Sequence, residues 1–226
     1  MLSEPPVIDS FFRQFNELTE KNIRLFQQLI GTLGQRRFAT ERHFLIKLDS
    51  WHLGRFDFIR QAFPQTPMLF LYRDPEQVLA SHQRQRGPQM IPNFVDMGNL
   101  KVDQKDLSPG DFDGYGLRVL DQFYSTAIKQ RDLDQLQLIN YQELPKVIWE
   151  QLILQLKIEI STNELEQMKA RSECHSKYPY QSFHGDPKPE AKHAFFNKTH
   201  ALYQQLEDLR KLQKNTADKK YNSLGF

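Results

Sequence analysis

At 226 residues, with 39% hydrophobic and 26% charged side chains, the chain is long enough to bury one sizeable core and too apolar to be disordered throughout. Its formal charge of +2 comes from acids and bases interspersed along the chain, which excludes the one-signed field of a nucleic-acid or acidic-membrane binder. A single cysteine, Cys174, excludes an intrachain disulfide framework. With no secretion signal and no apolar run long enough to span a bilayer, a cytoplasmic protein is expected.

Taken in chain order, Asp9 to Gly34 places phenylalanines, leucines and isoleucines at helical spacing, with Gly31 and Gly34 as stops. Phe44 to Leu48 in "HFLIKLDSW" predicts a buried strand interrupted by Lys47, a residue rarely tolerated unpaired inside a sheet, so a carboxylate or nucleotide partner is expected for it. "GRFDFIRQAF" predicts a short helix, and "MLFLYR" a second strand, buried on both faces because it lacks alternation. Asp74 can cap the next helix, Pro75 suits its first position, and Gln77 completes a capping-box pattern. The proline- and glycine-punctuated stretch from Gly87 to Gly114 reads as a loop long enough to be functional or mobile.

Asp113 to Arg131 predicts a helix, "LQLINY" a third strand, and Leu144 to Leu156 a further helix. "STNELEQ" announces a helix over Thr162 to Arg171 with Thr162 as its cap, and His193 to Gln213 predicts a last amphipathic helix. One domain over residues 1–214 is expected, followed by a flexible tail over 215–226. Strands alternating with helices predict an α/β fold with a mainly parallel sheet. In such sheets ligands sit beyond the carboxyl ends of the strands, where Lys47 to Asp49, Arg73 and Tyr141 fall.

Arg73 leaves a buried strand and meets a helix start at once, which offers a guanidinium beside backbone amides, a pairing suited to a phosphate. Ser81, about two turns on at ~100° per residue, can lend its hydroxyl to the same anion. The alternative is an ion pair of Arg73 with Asp74 or Glu76 and a Ser81 that only packs. The histidines of "CHS", "FHGD" and "KHAFFNKTH" lack metal spacing, so no metal is expected. Arg84 and Arg86 read as a solvated helix face or as further phosphate ligands.

"YRDPEQVLAS" resembles the 3′-phosphate segment of the sulfotransferases that use phosphoadenosine phosphosulfate (PAPS), with Arg73 and Ser81 at the family's separation. "LQLINYQELPKVIWEQL" resembles the family's third strand and following helix, "FLIKLDSW" the strand that leads to the acceptor site, and "SEPP" with "RGPQMIP" is similar to bacterial members. The resemblance implies a P-loop-NTPase-like three-layer fold and transfer of a sulfuryl group from PAPS to a hydroxyl or amine of a small molecule, glycan or peptide. It implies that Arg73 and Ser81 hold the 3′-phosphate, that Tyr141 lies near the adenine, that Lys47 contacts the nucleotide, and that Glu4 or Asp49 serves as the base, with His52 a third candidate that reads more simply as a surface residue. Lys177, Lys188 and Lys192 fall in a segment similar to the family's late covering loop.

One departure accompanies the likeness. The family's first strand and its Gly/Ser/Thr-rich 5′-phosphosulfate loop match no segment of this sequence, and "GTLGQRR" follows a helix rather than a strand. A non-catalytic nucleotide-binding or protein-interaction domain of the same fold is therefore the alternative expectation. A P-loop kinase, which needs that loop and a magnesium carboxylate as well, ranks last.

Overall fold

The computed structural model describes residues 2–130, 136–173 and 193–222, with side chains through 216. Where one helix is expected over Asp9 to Gly34, two form: α1 (Pro6–Gln14) and α2 (Glu20–Leu33). Pro5 and Pro6 start α1 without the need for a donor, and the Thr19 side chain caps α2 by accepting from the Asn22 N–H at 3.2 Å. The break at Phe15 to Leu18 lets the two apolar faces fold onto each other. Phe11 and Phe12 then lie 5.1 and 5.2 Å from Phe26, and Phe58 of α3 (Phe56–Ala62) closes the cluster edge-on at 5.6 Å from Phe26.

The strands are shorter and less connected than the sequence predicts. β1 (Leu2–Ser3) pairs in parallel with β2 (Ile46–Lys47), and β3 (Met68–Tyr72) pairs in parallel with β4 (Leu136–Asn140). Among the described residues these are two separate two-stranded sheets, so the chain is mixed α/β but mostly helical. Phe44 and Leu45, expected in a buried strand, are 42% and 45% exposed because a two-residue β1 offers pairing only to the far end of that run. β3 is not buried on both faces either. Leu69 and Leu71 are 44% and 50% exposed while Tyr72 is buried, the alternation of a strand covered on one side only.

The second core lies over β3 and β4. α5 (Phe112–Lys129) and α8 (Phe196–Asn222) pack against each other and bury Tyr72, Val119, Phe123, Tyr124, Leu138 and Leu206. The buried Thr199 hydroxyl donates to Asp121 at 2.7 Å across that contact. α8 runs on to Asn222, past the expected stop at Gln213 and into the stretch expected to be a flexible tail. α5 starts one residue early because Asp111 caps it, and α7 (Thr162–Ser172) is capped by Ser161, not Thr162, in a box with Glu164. The helix expected over Leu144 to Leu156 is broken into a π-helical turn, Ile148–Leu152, and the single turn α6 (Ile153–Gln155). Cys174 and the lysines at 177, 188 and 192 lie outside the described residues. Among the described residues no helix is long and apolar enough to cross a membrane.

Because Phe26 is the ring on which both helices and α3 converge, Phe26→Ala should cost about 3–5 kcal/mol of unfolding free energy. Urea denaturation monitored by circular dichroism checks this, and a loss below about 1 kcal/mol would show that the cluster collapses onto the cavity.

Candidate functional site

The carboxyl ends of the two strand pairs each gather one group of side chains. At the first pair, the Glu4 N–H donates to the Lys47 carbonyl at 2.8 Å, and this continuation of the ladder brings the Glu4 carboxylate onto the Lys47 ammonium in a short ion pair. The expected carboxylate partner of Lys47 is therefore Glu4, although the lysine itself is exposed rather than interior. Glu4 holds a left-handed φ of 48°, a conformation that costs a non-glycine residue about 1–2 kcal/mol and that the lysine contact helps to hold.

Asp49 sits two residues past Lys47 and heads the 3₁₀ segment Ser50–Arg55. Partial burial, then the charges of Glu4 and Asp9, push its carboxyl up to about 6, against the opposing pull of Lys47. His52, which reads from sequence as a surface residue, is 3% exposed. Its Nε2 lies 3.1 Å from Asp9 Oδ1, which also accepts from Trp51 Nε1 at 2.8 Å. Burial lowers the imidazole pKa more than Asp9 raises it, so His52 is neutral at pH 7, and the carboxylate contact assigns its proton to Nε2. Nδ1 is buried without a hydrogen-bond partner among the described residues.

Asp9, Asp49 and His52 bring one oxygen or nitrogen each within 4.8 Å of one another, a ligand set and spacing that a divalent cation can use. Sequence spacing gave no hint of this group, because its members come from α1 and from the end of β2, forty residues apart. The overlooked signal is Asp9 itself, an acid set among the buried Ile8, Phe11 and Phe12 of α1.

At the second strand pair, Tyr72 and Asn140 are register partners, so the next residues, Arg73 and Tyr141, emerge side by side. The Arg73 guanidinium lies over the Tyr141 ring at 4.6 Å from its centroid. Gln77 does not complete a capping box. Its side-chain oxygen accepts from Arg73 Nε at 2.9 Å, while Asp74 alone caps α4 (Pro75–Arg84) by accepting from the Glu76 and Gln77 N–H groups. The Tyr124 hydroxyl donates to the Arg73 carbonyl at 2.6 Å. Ser81 stands two turns into α4, half-buried, and makes no side-chain hydrogen bond among the described residues. Arg86, from the basic end of that helix, pairs with Asp113 at 2.8 Å.

Between α1 and the stretch from Pro88 to Gln104 lies an open cleft of about 820 Å³, with Asp9, Phe12, Trp51 and His52 on one side and Phe94 and Met97 on the other. Its loop wall is fastened by close backbone contact. The Asn99 N–H donates to the Gly54 carbonyl at 2.9 Å, and a Cβ at Gly54 would fall 1.9 Å from the Met97 carbonyl oxygen. Arg55 Nη2 and Asp96 Oδ2, 2.8 Å apart, bridge the two walls. The expected functional loop thus forms one side of a cleft that Asp9 and His52 line on the other.

Comparisons with protein-family models, with curated proteins and with solved structures each find no match to this chain.

The raised pKa of Asp49 fixes a sign. Between its unfolded value near 3.8 and its folded value of about 6 the native state binds more protons than the unfolded chain, so stability falls as pH rises through that window. Asp49→Asn should therefore raise the melting temperature near pH 7.5 and leave it unchanged near pH 3.5 relative to the parent protein. Thermal denaturation at both pH values measures this, and an equal shift at both would trace the effect to packing instead of charge.

Proposed function

We propose that this chain is a sulfotransferase-like domain of the P-loop-type three-layer fold, acting on PAPS and a hydroxyl or amine acceptor. The observation that carries the reading is the Arg73 guanidinium stacked on Tyr141 at the carboxyl ends of two register-paired parallel strands, beside the first turn of α4. That constellation offers a guanidinium and an aromatic surface within one short span, which suits an adenosine bearing a 3′-phosphate. Ser81 adds a hydroxyl on the same helix, and Lys47 stands at the end of the neighbouring strand pair.

Between the two expected bases, the charge balance favours Asp49. Glu4 is neutralised by Lys47, whereas Asp49 is partly desolvated and faces two other carboxylates, which brings its pKa near working pH. In the transfer, the acceptor oxygen or nitrogen bonds to sulfur as its proton passes to Asp49. The bond from sulfur to the bridging oxygen of the 5′-phosphate breaks, and phosphoadenosine phosphate leaves with that electron pair. In this reading Asp49 is ionised and competent above about pH 6.

The sheet geometry supports the same fold. Ile46 and Leu48 of the first strand pair and Met68 of the second pack on one cluster with α1, α2 and α3, so both pairs rest on a common helical layer. The family's phosphate loop supplies the preorganised donors for the transferring group. The alternative, a non-catalytic domain that keeps the nucleotide site, draws on the fact that no Gly-rich loop follows a strand among the described residues.

Calorimetry with phosphoadenosine phosphate and with AMP tests the nucleotide site. The 3′-phosphorylated nucleotide should bind more tightly, and Arg73→Ala should weaken it about tenfold or more, as expected for a lost charge-assisted bond. Tyr141→Phe should retain affinity, while Tyr141→Ala should lose about 1–3 kcal/mol, because it removes both the ring and the support for the guanidinium. Equal affinities for the two nucleotides would overturn the 3′-phosphate assignment. Sulfuryl transfer from PAPS, assayed with and without a fused strand and phosphate loop, separates the enzyme from the non-catalytic domain.

A further inference from the structure

Two side chains beside α1 hold lone pairs that no donor meets. The Asp49 carboxylate is partly buried and makes no hydrogen bond or ion pair among the described residues. His52 is 3% exposed, and an unprotonated imidazole carries one lone pair. At Nε2 that lone pair would face the Asp9 carboxylate, and at Nδ1 it is buried without a partner among the described residues. Polar groups withdrawn from water and left unpaired are costly, and a bound ion offsets that cost.

Asp9 completes the group and is aimed from outside it. Its Oδ1 accepts from Trp51 Nε1 at 2.8 Å and stands 3.1 Å from His52 Nε2. An indole N–H only donates, so this contact orients the carboxylate and leaves it lone pairs to share, as the outer partner of a metal ligand does. A cation that takes the place of the proton between Asp9 and His52 fits the distance already there. Bonds of about 2.1 Å meeting at about 90–109° put two ligand atoms about 3.0–3.4 Å apart. The Asp49 oxygen falls within 4.8 Å of both other ligand atoms, and with no contact of its own the side chain is free to turn inward.

From this arrangement we infer that Asp9, Asp49 and His52 bind one divalent transition cation, Zn²⁺ by preference, with Trp51 as the residue that positions Asp9. Two carboxylate oxygens and one imidazole nitrogen suit such a cation better than Mg²⁺ or Ca²⁺, which take a larger number of oxygen ligands. Three protein ligands leave further positions for water or for a ligand's oxygen, and the cleft that Asp9 and His52 line gives the ion a path in. The inference goes beyond the sulfotransferase reading and does not rest on it. A carboxylate bound to a cation is not free to take a proton, so Asp49 serves as the base only when no ion is bound.

The test is calorimetry of the chelator-treated full chain with Zn²⁺ and Mg²⁺ at neutral pH, joined to NMR of the two indole N–H signals with Mn²⁺ as a paramagnetic probe. One equivalent of Zn²⁺ should bind about tenfold or more tightly than Mg²⁺, and Asp49→Asn should weaken Zn²⁺ about tenfold or more. Asp49 makes no side-chain bond that this substitution breaks, so the variant keeps the fold. Trp51→Phe, which removes the donor to Asp9, should weaken Zn²⁺ by about tenfold as well. Mn²⁺ should broaden the Trp51 signal, whose nitrogen lies 2.8 Å from a ligand oxygen, and spare that of Trp149, which lies beside Lys169. Absence of Zn²⁺ binding, an affinity unchanged in Asp49→Asn, or equal broadening of the two indoles would each overturn the inference. None of these outcomes bears on phosphoadenosine phosphate binding, whose loss would count against the sulfotransferase reading alone.

Discussion

The Glu207 carboxylate is the contact on which the geometry around Arg73 and Tyr141 depends. It accepts from the Tyr72 hydroxyl, from Asn140 Nδ2 at 2.7 Å and from Arg210, and so ties α8 to the last residues of both β3 and β4. Burial alone would raise this carboxyl, but the hydrogen bonds from Arg210, Tyr72 and Asn140 hold it down to about 2. Arg210 extends the clamp to Glu143 at 2.6 Å, in the turn that Asn140 caps. Arg73 and Tyr141 are the residues directly after the two clamped positions. Their stacking therefore follows from strand register and from one partly buried carboxylate on a distant helix, and needs no direct bond between them.

The acid-rich end works on the opposite principle. Where Glu207 is surrounded by donors, Asp49 faces other carboxylates with one lysine for relief, so the same kind of group is pushed up to about 6. Charge crowding of this sort lowers stability at neutral pH, as it does at many sites arranged for proton transfer. Trp51 and His52 keep Asp9 fixed by two contacts to one oxygen, which holds the second carboxylate in place beside Asp49. The left-handed φ of Glu4 belongs to the same economy: local strain is retained where it places an ion pair at a strand end.

Between these two ends the helices carry the fold. The phenylalanine cluster of α1, α2 and α3, which touches both Ile46 and Met68, and the tyrosine-rich layer under α5 and α8, seated on β3 and β4, are separate cores. Backbone pairing contributes little to their union among the described residues, so side-chain packing on the common helical layer keeps the two strand ends in one molecule.

Much of this was legible in the residues alone. Local signals fixed the start of α4 at Asp74 and Pro75, the existence of α5, α7 and α8, and the presence of Arg73 and Tyr141 at strand ends, because capping, proline placement and apolar period act over a few residues. Lys47 in an apolar run announced a carboxylate or nucleotide partner, and Glu4 fills that role although the lysine is exposed. What the sequence could not convey were facts of long range: that strands of apolar composition would find a single neighbour and leave Leu69 and Leu71 exposed, that Gln77 would serve Arg73 and not a cap, and that His52 would be buried against Asp9. Each of these depends on which surfaces meet after folding. Residue type sets what a side chain can do, but burial and charge environment are set by elements dozens of residues away, and only the tertiary structure brings those together.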